Sequence, residues 1–396
     1  MLPKGWQLTT IGAACSIRNN LRFPINTEQR AAIPGPYPYF GPTGVLAYID
    51  HYRIDEEFAV IGEDGDHFLK YRHKSMTLHF KGKANVNNHA HVIGDSEKCS
   101  PIWFYYWFMH RDLTPSLSRQ GVGRYKLTKR GLERLEILLP PKTEQLQISN
   151  LFATWDRAIS AIAQLIASTR KQKQALMKIL LKPMKPDEWH EEGWRRMPLG
   201  EIVDIDRRSL PSSTPDQFSF RYISLSDVDD SGVASNLSTY VFSGAPSRAR
   251  RLVEVGDILF STVRPNLMGH IQITKAHADC VASTGFSTLS ARSDVNADYL
   301  FQYLFSEDMK KQIDSLVAGS SFPAIAATDI VDLEINLPKM QEQFRVASLL
   351  KNQDSEIVVL QKMAKFLISE KQALMAQLLT GKRRVALPVS ETVAQA

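Results

Sequence analysis

The sequence predicts an α+β fold: two mixed α/β domains separated by two long helices that pair as an antiparallel coiled coil, with a pseudo-twofold internal repeat. Three observations predict it. First, the helical end of the first half returns 198 residues on. Leu139-Pro140-Pro141-Lys142-Thr143-Glu144-Gln145 returns as Leu337-Pro338-Lys339-Met340-Gln341-Glu342-Gln343, and Lys173-Gln174-Ala175-Leu176-Met177 returns unchanged as Lys371-Gln372-Ala373-Leu374-Met375. Asp156 and Ile159 return as Asp354 and Ile357 at the same offset (354 − 156 = 198). Second, each copy carries an apolar stripe at helical spacing. Third, the stretch before each copy differs in sequence and in length: Trp6 to Glu144 is 138 residues, and Trp194 to Glu342 is 148. So long a period is too large for a solenoid repeat and fits a duplicated domain.

Taken in order, Gly5-Trp6 opens the first unit and Gly193-Trp194 the second, each followed by an apolar segment. Residues 1–141 read as one variable domain and 186–339 as another, with a linker at 183–192 whose Pro183 and Pro186 stop the preceding helix. Helical regions are expected over 142–185 and 340–382, and a flexible tail over 383–396. Short runs bounded by Gly, Asp or Pro predict strands at Phe58–Ile61, Asp257–Phe260 and Leu135–Leu139. Ile33 to Pro42 is so dense in Pro, Gly and aromatics that an ordered surface loop is expected there. The apolar run Ile102–Met109 is too short for a membrane and predicts a buried helix.

In the first helix Ile148, Phe152, Trp155, Ile159, Ile162 and Ile166 follow a 4-3-4-3-4 spacing, the seam of a coiled coil, and Leu176 and Leu180 resume it. The second helix shows Val346, Leu350, Ile357 and Leu360, with Gln353 interrupting, and ends with Leu374 and Leu378. These stripes are the expected helix–helix and partner interface.

Composition bounds the function. The chain has 396 residues, a net charge of +6 and 43% hydrophobic residues, ordinary for a soluble protein of two or more domains. The mild basic excess favours a polyanionic partner. Cys15, Cys99 and Cys280 form no CxxC pair, so a reducing cytoplasm is expected, and no apolar run reaches membrane-spanning length. No phosphate loop, GxGxxG turn, HExxH or GxSxG occurs, so no catalytic residue is assigned. His89-Ala90-His91 is read as ordinary packing, not a metal site.

Candidate DNA contacts are softer. Arg119-Gln120-Gly121 and Arg124-Tyr125-Lys126 place cations, an amide and an aromatic on a glycine-bearing loop. Arg and Lys suit guanine edges or phosphates, and Gln suits adenine. The corresponding second-domain loop carries Ser320, Ser321 and Phe322, a shared scaffold with exchanged chemistry. Thr262, Arg264 and Asn266 follow a predicted strand, Arg248, Arg250 and Arg251 form a basic cluster, and Tyr37 and Tyr39 stand on the Pro-rich loop. Surface turns and a solvated charged face are the competing readings.

The whole pattern resembles the specificity subunit of a type I restriction-modification system. The carriers are the paired Gly-Trp starts, the segments Gly256–Thr262 and Ala282–Phe286, and the duplicated Leu-Pro-x-x-x-Glu-Gln and Lys-Gln-Ala-Leu-Met. The resemblance implies two target recognition domains, each reading one half of a bipartite double-stranded DNA site, with helix length setting the spacer. It implies a non-catalytic subunit that holds two methyltransferase subunits, which carry S-adenosylmethionine and modify adenine N6. Two restriction subunits would carry ATP and Mg. A coiled-coil scaffold with two ligand domains and no DNA is the alternative.

Overall fold

The protein is described by a computed structural model, which places residues 2–120, 124–181, 193–228, 234, 237–318 and 323–385, with the backbone alone at Gln120 and Arg124. The linker 183–192, Gly121, Ser320, Ser321, Phe322 and the tail beyond 385 lie outside the described residues. The chain divides into two compact units. One holds the residues up to Ala161 together with those from Met363 onward, and the other holds Ile162–Lys362.

In the first unit the strands are β1 (Gln7–Thr10), β2 (Ser16–Ile17), β3 (Pro34–Phe40), β4 (Val45–Ile49), β5 (Ile54–Gly62), β6 (Thr77–Val86), β7 (Ala90–Gly94), β8 (Ser118–Gln120), β9 (Arg124–Lys126) and β10 (Glu136–Leu139). Six form one sheet in the order β2-β7-β5-β6-β3-β4, antiparallel except where β3 meets β6. The apolar run at Ile102–Met109 becomes a helix over Pro101–Phe108, with Trp103, Phe104 and Phe108 fully buried. One expectation is overturned. Pro34–Phe40 is strand, not loop. Its register against β4 shifts twice, and pairing with β6 begins only at Tyr39, so Pro36 and Pro38 lie before the stretch paired with β6, where no donor to that strand is needed.

The second unit has β11 (Arg195–Pro198), β12 (Val203–Ile205), β13 (Ser219–Ile223), β14 (Thr239–Val241), β15 (Ala249–Leu252), β16 (Ile258–Ser261), β17 (Ile271–Gln272), β18 (Cys280–Ser283), β19 (Phe286–Ala291) and β20 (Glu334–Leu337). They form sheets ordered β12-β19-β16-β17 and β14-β13-β18-β15, and β11 pairs with β20.

Both units share one frame. β1 pairs antiparallel with β10, and β11 with β20, so the entering and leaving chains run side by side just before a long helix. The first long helix spans Lys142–Leu180 and the second Met340–Leu378, 39 residues each, about 58 Å at helical rise. The repeated sequence has a local reason. Gln145 Nε2 donates to the Pro140 carbonyl at 2.9 Å, and its Oε1 accepts from the Ser100 N–H at 3.0 Å. Gln343 does the same with Pro338 at 2.9 Å and Asn296 N–H at 2.8 Å. Ser100 and Asn296 are the N-caps of the helices Pro101–Phe108 and Ala297–Tyr303. The glutamine therefore locks a domain helix to the base of a long helix in both units.

The Gly-Trp openings also have a cause. Gly5 and Gly193 take φ of +86° and +69°, and a Cβ at either would approach Pro141 or Lys339 beside the long helix. Gly5→Ala is expected to cost about 1–2 kcal/mol, from the left-handed backbone alone. An unchanged thermal midpoint would show that this turn tolerates a side chain.

Within the first unit Lys371 Nζ pairs with Asp156, whose other oxygen accepts from Tyr106 Oη at 2.8 Å. Arg384 donates two bonds to the buried Glu144, at 3.0 and 2.7 Å, and Trp6 Nε1 donates a third at 3.2 Å. Within the second unit Lys173 Nζ pairs with Asp354 at 2.6 Å, whose other oxygen accepts from Gln302 at 2.8 Å. The repeated Asp and Lys are thus reciprocal partners. Of the apolar stripe, Ile148, Phe152, Ile162, Val346, Leu350, Ile357 and Leu378 are buried. Trp155, Ile159, Ile166, Leu176, Leu180, Leu360 and Leu374 are partly covered.

Candidate nucleic-acid interface

In the second unit the backbone draws separate sequence candidates onto one face. The Thr262 N–H and hydroxyl both donate to the Gly285 carbonyl, at 3.0 and 2.8 Å, and Thr284 N–H donates to the Arg248 carbonyl at 2.8 Å. Arg264 N–H donates to Pro323 O at 2.7 Å, and Ile325 N–H to Thr262 O at 3.0 Å. The basic cluster, the β16 exit and the 323–325 segment therefore meet. Beneath the turn lies a cleft of about 520 Å³ lined by Leu225, Val228, Val263, Arg264, Leu267 and Pro323. Arg248, Arg264 and Asn266 are exposed. Among the described residues the Arg264 guanidinium meets no acceptor.

Two members of the basic cluster are held by the fold. Arg251 Nη2 pairs with Asp206 at 2.7 Å and its Nε donates to Phe286 O at 3.3 Å, so it braces β15 against β19 rather than facing solvent. Arg250 lies over the Phe242 ring at 4.9 Å.

The first unit presents the hairpin β8–β9. Arg119 is exposed, donates to Tyr125 Oη at 3.1 Å and lies 5.2 Å from that ring's centre. Lys126 instead pairs with Glu63 at 3.3 Å and Asp64 at 3.7 Å, which spends its charge within the fold. Tyr39 is corrected: it is fully buried, and its hydroxyl donates to Phe23 O, because the residues expected to form a loop are a core strand. Tyr37 stays partly exposed, edge-on to Tyr52, over whose ring Lys83 Nζ stands at 4.7 Å.

Sequence reading missed a third feature of this unit. After Gly65, the turn Asp66–Lys70 leads into Leu69-Lys70-Tyr71-Arg72-His73-Lys74, where Leu69, Lys70, Arg72, His73 and Lys74 are exposed. Cations interleaved with an aromatic were the available signal.

The hairpin and the 323–325 segment occupy equivalent positions. Gly65 N–H donates to Tyr125 O at 3.1 Å and Leu127 N–H to Glu63 O at 2.8 Å. These are the bonds that Arg264 makes to Pro323 and Ile325 makes to Thr262, 198 or 199 residues on (323 − 125 = 198; 264 − 65 = 199). At this shared turn φ is +126° for Gly65 and +50° for Arg264. Gly65 combines its φ with a ψ of 169°, a region open to glycine, whereas Arg264 with a ψ of 53° is left-handed helical, at a cost of about 1–2 kcal/mol. Met268, four residues on, is left-handed too.

No group of three His, Cys, Asp or Glu among the described residues is placed to hold a metal. His91 is buried between Asn19 Nδ2 at 2.8 Å and Leu127 O at 2.7 Å. No helix among the described residues is long and apolar enough to cross a membrane. His270, behind the β16 exit, accepts from Ser261 N–H at 3.2 Å and stacks 4.3 Å from Phe260. Burial lowers its pKa to about 3. The folded value lies below the unfolded one of about 6.5, so the neutral ring favours folding above pH 6.5 and that contribution fades as pH falls toward 3. The second unit should lose about 2 kcal/mol between pH 7 and pH 5 from this residue. His270→Gln should flatten that part of the pH–stability curve; an equally steep curve would show that another group carries it.

Two units of one frame, each holding a segment of different sequence at the same backbone position and each leading into a long helix, define a duplicated domain. The comparisons agree with that class. The model of the type I restriction modification DNA specificity domain matches residues 3–168 and 191–365, so the chain belongs to that family. It is 23% identical over 403 residues to the MjaVIII type I restriction enzyme specificity subunit of Methanocaldococcus jannaschii, covering 97% of this chain and 94% of the relative. A putative specificity subunit of Haemophilus influenzae is 32% identical over 133 residues, 34% of this chain and 33% of the relative. The fold is similar to that of the type I S subunit from M. genitalium, with a TM-score of 0.63, 15% identity and 97% of both chains covered. A chain from a structural study of type I complex assembly and conformational transition aligns with a TM-score of 0.53 at 17% identity, covering 97% of this chain and all of that one.

Proposed function

We propose that this chain is the DNA-reading subunit of a type I restriction-modification complex, with each unit reading one half of a bipartite site. The observation that carries the reading is the shared turn. Residues fixed by equivalent backbone bonds present Tyr125 with Arg119 in one unit and Arg264 with Asn266 in the other. Holding the frame while exchanging side chains is what two readers of different sequences need.

The two long helices form an antiparallel coiled coil whose length sets the spacer between half-sites. The reciprocal Asp156–Lys371 and Lys173–Asp354 pairs support that pairing. Their outer faces dock two methyltransferase subunits, which bring S-adenosylmethionine, and two restriction subunits bring ATP and Mg. Met363 and Phe366, 52% and 60% exposed on the second long helix, support a partner contact. The chain itself performs no chemistry and acts in the cytoplasm.

Purified chain mixed with its methyltransferase should transfer methyl groups from S-adenosylmethionine to DNA, and neither component should do so sequence-specifically alone. Transfer by this chain alone would contradict the assignment. Equal transfer by the methyltransferase without it would favour the scaffold reading.

A further inference from the structure

Leu267 is 66% exposed at the end of the turn Pro265–Leu267. A lone exposed leucine is ordinary, but this one is held firmly. Pro265 is buried, Leu267 N–H donates to Arg264 O at 3.0 Å, Met268 N–H to Pro265 O at 2.9 Å, and His270 N–H to Met268 O at 2.9 Å. Left-handed residues stand on both sides of the turn. Strain of this kind persists only where the surroundings over-determine it, and it concentrates where a side chain must be aimed. Beside the leucine stands the Arg264 guanidinium, without an acceptor among the described residues.

The first unit repeats the arrangement with other residues. Leu69, 51% exposed, lies on the turn Asp66–Lys70 that follows Gly65, four residues past that glycine where Leu267 stands three past Arg264. Exposed Lys70, Arg72 and Lys74 follow it. The surrounding sequences have diverged, yet in both units the turn after the shared backbone bond carries a bare leucine with exposed cations near it in the chain.

We propose that Leu267, and Leu69 in its own unit, are wedges that enter a base-pair step of double-stranded DNA while the adjacent cations hold the phosphates or base edges. The proposal rests on the DNA-reading function above. An apolar side chain pressed into a step partly unstacks and kinks the duplex. Sequence then enters through the cost of deforming that step, so a flexible pyrimidine–purine step is favoured at positions no polar group touches. The cations next to each leucine favour a polyanion over an apolar protein surface as its occupant.

The test uses the full chain with its methyltransferase and a duplex carrying the mapped target, with 2-aminopurine placed at successive positions away from the modified adenines. Wild-type complex should raise the fluorescence at one step of the second half-site. Leu267→Ala should abolish that rise and weaken binding about 10-fold, whereas Leu267→Met should retain both. A mismatch at the same step should restore binding by Leu267→Ala, because the unstacking is then already made. Leu69→Ala should give the same result in the first half-site only. Unchanged fluorescence and affinity in Leu267→Ala would overturn the wedge. So would failure of that variant to retain the methyltransferase, which would assign the leucine to a protein contact. If wild-type complex does not prefer the target over a scrambled duplex, the DNA-reading function fails and the wedge with it, an outcome distinct from the other two.

Discussion

Phe152→Ala is expected to cost the first unit about 3–5 kcal/mol, the usual range for deleting a buried aromatic. Phe152 is fully buried on the first long helix, with Tyr106 edge-on at 5.1 Å. That Tyr106 also donates to Asp156, which pairs with Lys371. Burial, and then Asp156, push the Tyr106 hydroxyl well above its usual pKa, so it stays a donor throughout the physiological range. Removing the ring would open a cavity where the helix, the domain helix and the core meet. Hydrogen exchange should show loss of protection in the sheet β2-β7-β5-β6-β3-β4 and in the helix Pro101–Phe108 together. Loss confined to the long helix would mean that the helix does not share the domain's core.

Arg264→Ala is expected to weaken binding of the complex to its target by about 1–3 kcal/mol, the worth of one good arginine–guanine contact, and to relax the second half-site alone. Arg264→Gly separates stability from reading. Glycine takes the left-handed turn without the Cβ clash, so the thermal midpoint should rise while affinity falls as in Arg264→Ala. A lower midpoint would mean that the arginine serves the fold rather than the DNA.

The duplicated segments were legible because they answer to demands at one place in the chain. Glycine before tryptophan meets a positive φ, the glutamine after Leu-Pro ties two helix starts together, and the repeated Asp and Lys meet as ion pairs. A fixed offset records each of these demands directly. Pro34–Phe40 was not legible. Proline density is a strong loop signal, and only knowledge of where β6 begins to pair shows that the missing donors go unused. Tyr39 was misread with it, since a buried tyrosine whose hydroxyl finds a carbonyl looks the same in sequence as an exposed one. Arg251 and Lys126 illustrate the same limit. Their acceptors, Asp206 and the pair Glu63 and Asp64, are more than forty residues away in sequence, so nothing local distinguishes a brace from a free cation. Arg264 was named from its sequence neighbours, but its left-handed backbone and its correspondence to Gly65 belong to the three-dimensional frame.

The measurement that tests the central claim most directly is single-molecule sequencing of modified adenines in DNA from a host expressing this chain with its methyltransferase, compared with a host lacking this chain. The account predicts methylation at one split motif, present only with the chain. It further predicts that Arg119→Ala relaxes one half of that motif and Arg264→Ala the other, with the spacer unchanged. A methylation pattern indifferent to the chain, or halves that change together under either substitution, would contradict it.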